Sequence, residues 1–357
     1  MIDLRSDTVT RPSQDMRKAM ANAEVDDDVI DVDPTVDRLQ QMTAELLGKE
    51  AAIYMPSGTM TNQVAVRLHC SPGDELLCEE GCHIYRYEQG GFSQLSGIVA
   101  RTLPGEFGVL RPEQFFAQIM PADDHLLRTR LVCLENTHNR GGGRIQPFEH
   151  VKGICRWAHE NDLRCHLDGA RLANAAVATG MAAADWAQPF DTVSFCFSKG
   201  LGAPVGSVLA GPRDLIREAR RHRKLFGGGM RQSGVIAAGA LYALQYHYDR
   251  LAEDHEHART IAESIRGCPQ LTLCPETVDT NIIVFRVDSS VATGAQFVAA
   301  LKEAGIAMLA FGTDLVRAVT HLDVSRSDAL RAAAMIPQVV DGLVSQTIEL
   351  PEGGASY

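Results

Sequence analysis

Ser198-Lys199-Gly200 follows the apolar run Thr192–Phe197 and precedes the turn Leu201-Gly202-Ala203-Pro204. A lysine closing a buried strand in a Gly-rich turn is poorly placed as a solvated surface charge. Desolvation there favours the neutral amine, the form that attacks a carbonyl carbon. His166-Leu167-Asp168-Gly169-Ala170-Arg171 puts a carboxylate at the end of a second apolar run. At the C-terminal ends of strands in an α/β sheet, such an acid and lysine face one crevice. Pyridoxal 5'-phosphate requires this pair, an amine for a Schiff base and an acid that keeps the pyridine nitrogen protonated. Asp168 could equally cap the helical stretch Ala170–Ala176, and the two roles are compatible.

A third element is the turn Pro56-Ser57-Gly58-Thr59-Met60-Thr61-Asn62, between the short strand Ala52–Met55 and a helix carrying Val64, Ala65 and Leu68. Open N–H groups and the dipole at a helix start suit a phosphate, although Ser-Gly-Thr is also a routine helix cap. His83, in Cys82-His83-Ile84-Tyr85, is the candidate for a ring lying over the cofactor. Cys78, Cys82 and His83 have no second pair at zinc spacing, so no metal site is expected. His138 and Asn139 read as scaffold in a turn. His255 and His257, in Glu253-Asp254-His255-Glu256-His257, read as a solvated helix face.

These residues must be positioned by a larger frame. Short apolar strands alternate with Gly- or Asp-containing turns and amphipathic helices, which predicts an α/β sheet flanked by helices. Strands are expected at Leu76–Cys78, Leu131–Leu134, Arg164–Leu167, Thr192–Phe197 and Ser207–Ala210. A long helical stretch over Gln232–Ile265 precedes a change of pattern: strand Asn281–Val287, helix Gly294–Ala304, strand Leu315–Thr320, and helix Ser327–Leu343 with Pro337 marking a kink or break. With 357 residues the chain exceeds one ordinary core. The division predicted is a large domain over 1–245, including an arm at 1–15, and a smaller α/β domain over 246–357, with a frayed tail at Glu352–Tyr357.

The composition, 45% hydrophobic and 22% charged, is that of a soluble globular protein, and the net charge of −11 argues against nucleic acid or an anionic membrane as partner. The charged start Met1–Asp7 is no signal peptide, and no apolar run is long enough to span a bilayer. Nine scattered cysteines, an odd number, read as reduced thiols in the cytoplasm.

Several collinear stretches together resemble the low-specificity L-threonine aldolases, which have the aspartate-aminotransferase-like fold. They include Leu4-Arg5-Ser6-Asp7-Thr8-Val9-Thr10-Arg11-Pro12, Leu134-Glu135-Asn136-Thr137-His138-Asn139, Asp168-Gly169-Ala170-Arg171 and Ser198-Lys199-Gly200-Leu201-Gly202. Gly227-Gly228-Gly229-Met230-Arg231-Gln232 and Val319-Thr320-His321-Leu322-Asp323-Val324-Ser325-Arg326 extend the resemblance to about residue 326. It implies fold type I, with a mostly parallel seven-stranded sheet in the large domain. Lys199 would hold pyridoxal phosphate, Asp168 its ring nitrogen, Gly58 and Thr59 its phosphate, and His83 would stack on the ring. Ser6, Arg171 and Arg317 would grip the substrate carboxylate, a task that suits the bidentate guanidinium. Lys224 and Arg231 would lie near the phosphate, from a neighbouring subunit if not from their own. His125 matches a second histidine near the substrate hydroxyl. A homotetramer built from dimers is implied too.

The reaction implied is reversible cleavage of threonine, allo-threonine or a related β-hydroxy-α-amino acid into glycine and an aldehyde, with His83, His125 or a water as base. A β-eliminating lyase or an aminotransferase using the same cofactor is the alternative. One departure stands out: Asp26-Asp27-Asp28-Val29-Ile30-Asp31-Val32 puts Ile30 where related sequences carry an aromatic, which leaves the preferred aldehyde portion open.

Overall fold

Thirteen strands appear in the computed structural model, which describes residues 1–348; the expectation for the Glu352–Tyr357 tail lies outside them. In chain order the strands are β1 (Ile2–Asp3), β2 (Ala51–Met55), β3 (Asp74–Glu79), β4 (Val99–Leu103), β5 (Arg128–Glu135), β6 (Arg164–Gly169) and β7 (Thr192–Cys196). They continue as β8 (Ser207–Gly211), β9 (Leu271–Leu273), β10 (Ile282–Val287), β11 (Ile306–Ala307), β12 (Leu309–Ala310) and β13 (Leu315–Val319). All five strands read from apolar runs in the first two hundred or so residues are present, each extended by a residue or more of the polar flanks or trimmed by one.

Seven strands form one sheet in the order β2-β8-β7-β6-β5-β3-β4, in which only the pairings made by β8 are antiparallel. Near-continuous apolar runs such as Leu131–Leu134 are what a sheet covered on both faces needs. The covering helices start where local chemistry dictates. Asp33 accepts from the backbone N–H groups of Thr35 and Val36 with Pro34 in the first turn, starting the helix Pro34–Leu46. The helix Phe148–Glu160 lays Val151, Ile154 and Ala158 against the sheet.

A separate four-stranded antiparallel sheet, β12-β13-β10-β9, carries its own apolar cluster, which includes Phe285, Phe297 and Ile336. The N-terminal arm bridges the two sheets: its first residues pack with the smaller sheet's core, while Asp7 bonds Arg171 after β6. Ile2 pairs with Ile306 in a parallel β1–β11 bridge, and Ile2 and Leu4 are buried in the second cluster. Alternate apolar residues let so short a strand bury one face.

Two helical expectations change in detail. Gln232–Ile265 holds two helices, Gly234–Tyr246 and Leu251–Arg266, with a break between them. The last helix, Arg326–Val344, runs through Pro337 unbroken, packed closely along Leu251–Arg266. That packing also corrects the reading of His255 and His257. Both are buried, because the helix that carries them is covered on two sides. Among the described residues no helix is long and apolar enough to cross a membrane.

Candidate active site

The ends of the adjacent parallel strands β6 and β7 meet at one cavity of about 320 Å³. Glu135 closes β5 beside Asp168 near the end of β6, and Lys199 lies three residues past β7. Asp168, Lys199, Gly58, Thr59 and His83 all line the cavity, so the structure brings together five of the residues singled out from sequence.

Asp168 is buried and fully used. One oxygen accepts from Asn62 Nδ2 at 2.8 Å and the other from the Ala170 N–H at 3.1 Å. It therefore both orders the turn after β6 and offers a charge to the cavity. Burial raises its pKa, but His83, Lys199 and the Asn62 hydrogen bond outweigh that, and the carboxyl is held below its usual range. An ionised acid facing a cavity is the partner a protonated ring nitrogen needs.

The helix Gly58–His69 begins at the cavity wall, with Ser57 Oγ accepting from the Met60 N–H. Its first N–H groups have no carbonyl one turn back, which leaves them for an anion. Glycine at 58 is a packing requirement, since a Cβ there would sit 2.8 Å from Cys196 Sγ. This lets the helix start press against the end of β7, next to the turn that carries Lys199.

His83 opens a short helix whose start is pinned: its backbone N–H donates to Glu135 at 2.6 Å. Burial lowers the pKa of its ring, but the hydrogen bond to Glu88 and the charges of Asp168, Glu88 and Glu135 outweigh that and raise it. Glu135 also accepts from the Asn139 N–H at 2.8 Å, and Asn139 Oδ1 in turn accepts from Arg317 Nη1 at 3.0 Å. Asn139, read from sequence as scaffold, thus orients the arginine.

The three residues implied for the substrate carboxylate meet around the N-terminal arm. Arg317 Nη2 donates to the Arg5 carbonyl at 3.2 Å, while Ser6 Oγ caps the turn at Thr8, which lines the cavity. Arg171 is engaged in a way the sequence did not reveal: Nε and Nη2 both donate to Asp7 at 2.7 Å, with both side chains buried. Asp7 thus takes the Nε–Nη2 edge and fixes the guanidinium, leaving the Nη1–Nη2 edge as its second fork.

Three expected residues do not reach this cavity in their own chain. His125 sits in an exposed turn before β5, at the far end of an eight-residue strand that spans roughly 26 Å. Lys224 lines a different pocket with Arg220, Arg221 and Arg223, and Arg231 pairs with Asp27 at 2.9 Å. Residues missed from sequence include Asp7, Glu88 and Glu135, all buried acids. Asp7 and Glu88 lie in polar or mixed stretches where an acid reads as solvated, whereas Glu135 closes the apolar run Leu131–Leu134 just as Asp168 closes its own.

The cavity fits pyridoxal phosphate: an amine, an ionised buried acid, a stacking ring and an open helix start surround a space of the right chemistry. The fold and this site define a class, the fold type I pyridoxal-phosphate enzymes. Known structures agree on the fold. A Leishmania major threonine aldolase superposes with a TM-score of 0.83 at 20% identity, covering 95% of this chain and 100% of that one. A putative L-allo-threonine aldolase from Listeria monocytogenes gives 0.76 at 22%, covering 97% and 94%. The profile of the family described as Beta-eliminating lyase matches residues 3–289. The low specificity L-threonine aldolase of Escherichia coli K12 is 45% identical over 337 residues, 94% of this chain and 98% of that protein. A probable low-specificity L-threonine aldolase of Arabidopsis thaliana is 43% identical over 332 residues, 92% of this chain and 94% of that protein. The chain belongs to the low-specificity L-threonine aldolase family.

Proposed function

We propose that this protein cleaves β-hydroxy-α-amino acids, threonine and allo-threonine among them, into glycine and an aldehyde. The observation that carries the reading is the pairing of Lys199 and Asp168 across one cavity, in a chain so similar to aldolases over nearly its whole length. Bound pyridoxal phosphate supplies the electron sink for the pair released when the Cα–Cβ bond breaks.

The chain's own residues do the rest. Lys199 would hold the cofactor through its amine. Asp168 would keep a proton on the ring nitrogen, Gly58 and Thr59 would offer N–H groups to the phosphate, and His83 would stack on the ring. Ser6 and Arg317 orient the substrate carboxylate, with Arg171 held beside them by Asp7. A base must take the β-hydroxyl proton, and His83 is the imidazole at the cavity.

The match to a β-eliminating lyase profile favours one rival, elimination with the same residues. Product analysis separates the two. Aldol cleavage of L-threonine gives glycine and acetaldehyde, and elimination gives ammonia and an oxo acid.

We infer further that the protein works as a homotetramer of paired dimers in the cytoplasm, divided near residue 245 into two domains. Lys224, Arg231 and His125 support an assembly, since each lies outside its own chain's cavity and is accessible to a neighbour's. Nine free cysteines, eight of them buried, suit a reducing compartment.

A further inference from the structure

Glu88 is buried and sits at the centre of the hydrogen bonds around His83. One oxygen accepts from His83 Nδ1 at 2.8 Å and from Asn62 Nδ2 at 2.8 Å. The other accepts from Gln63 Nε2 at 2.6 Å. The same Asn62 amide donates to Asp168, so a single NH2 group bridges the two buried carboxylates. Asn62 is itself fixed, its oxygen accepting from Ser194 Oγ at 2.9 Å.

This arrangement decides which nitrogen of His83 carries the proton. An ionised carboxylate only accepts, so the Nδ1 that meets Glu88 must be the N–H. In the neutral ring Nε2 then holds the lone pair, and among the described residues none bonds it. We propose that Glu88 is a positioning residue for the aldol cleavage: it locks His83 in the Nδ1–H form, so that Nε2 takes the substrate's β-hydroxyl proton. The proposal rests on the aldolase reading given above.

The step balances within the chain and substrate. The O–H bond breaks and its proton bonds to Nε2. The oxygen's electron pair forms the aldehyde C=O as the Cα–Cβ bond breaks, and the pair released at Cα is the one for which the cofactor would supply the sink. His83 becomes an imidazolium, held between Glu88 at Nδ1 and the product oxygen at Nε2. Glu88, Asp168 and Glu135 place acidic charge near the ring and favour the protonated product of the step, while Lys199 lines the same cavity.

Glu88→Gln is a clean probe because the neighbourhood can absorb it. The new amide oxygen can still accept from His83 and Asn62, and its NH2 would face Gln63. Gln63 Oε1 is buried without a partner, so a flip of that amide supplies the acceptor. Only the charge is lost.

The test combines imidazole ¹⁵N NMR on the cofactor-free protein with steady-state kinetics of threonine cleavage. Wild type should show His83 as the Nδ1–H tautomer. Glu88→Gln should keep that tautomer, lower the His83 pKa, and move the acid limb of the kcat profile down with it. It should also lower kcat roughly tenfold or more with KM little changed. Glu88→Ala, which removes the acceptor, should mix the tautomers. An Nε2–H tautomer in wild type, or an unmoved His83 titration and pH profile in Glu88→Gln, would overturn the proposal. If wild type gave no glycine while the tautomer was as stated, the aldolase reading would fail and not the Glu88–His83 geometry.

Discussion

Arg171 donates Nε and Nη2 to the carboxylate of Asp7, both at 2.7 Å, in a pair that solvent scarcely touches. The N-terminal arm is thereby tied to the start of the helix that follows β6, between the two apolar cores. Burial raises the Asp7 pKa, yet Arg171, Lys199 and Asn281 outweigh it and hold the carboxyl far below its usual range.

Asp7→Asn leaves a buried guanidinium without its counter-charge. Loss of one partner from such a pair costs on the order of 3–5 kcal/mol, so the urea midpoint should fall clearly. Cleavage should fall as well, because the arm that carries Ser6 is no longer fixed. In wild type, a folded pKa below the unfolded one means the contribution is present above about pH 4 and disappears as pH drops further. An Asp7→Asn protein as stable as wild type at neutral pH would contradict this role.

Buried histidines set a second, milder acid sensitivity. Burial depresses the pKa of His255 to about 4 and of His166 to about 3. Each contributes stability that is present above the unfolded value near 6.5 and is lost as pH falls toward the folded one. His83 and His138 shift the other way, so their contribution is complete below about 6.5 and does not oppose the loss. Denaturant midpoints should therefore drop between about pH 6.5 and 4, His255 alone contributing on the order of 3 kcal/mol, with Asp254, raised to about 6 by burial, offsetting part of the drop. His255→Asn should flatten that slope, and an unchanged slope would count against it.

Gly58→Ala drives a methyl group toward Cys196 Sγ, 2.8 Å from the ideal Cβ position. The helix start must shift away from β7, and overpacking of this kind costs about 1–3 kcal/mol. Cofactor affinity should weaken measurably in an equilibrium titration with pyridoxal phosphate, because the phosphate's N–H groups move. Adding Cys196→Ala should restore much of it by removing the clash.

Lys224 and Arg231 lie away from their own cavity, which makes complementation the informative experiment. Lys199→Ala and a Lys224→Ala, Arg231→Ala double variant should each be nearly inactive. Co-refolded, they form mixed assemblies in which one cavity has all its residues, and activity should rise above both parents. No gain on mixing would show that the two basic residues do not complete a neighbour's cavity.

How much of this was legible in the sequence depends on where each signal lives. Lys199 and Asp168 were readable because a charge that closes an apolar run sits at the end of a buried strand, where the sheet's crevice opens. The strands of the large sheet were readable for a related reason, being runs buried on both faces. Asp7, Glu88 and Glu135 were not, since much of their importance comes from partners 25 to 164 residues away. His255 and His257 misled because the local pattern around Glu253 and Glu256 is polar. Their burial comes from the packing of Arg326–Val344 on one side of their helix and of Leu172–Thr179, which carries Asn174, on the other. Arg171 was recognised as important, but its commitment to Asp7 is a tertiary fact.

The central claim is that Lys199 holds the cofactor of an aldolase. Borohydride reduction of the protein loaded with pyridoxal phosphate, followed by peptide mass spectrometry, tests it most directly, with glycine release from L-threonine measured on the same unreduced sample. The prediction is one modified peptide, carrying the cofactor on Lys199, with glycine and acetaldehyde formed in equal amounts. Label on another lysine, or no label in a protein that still releases glycine, would contradict the assignment.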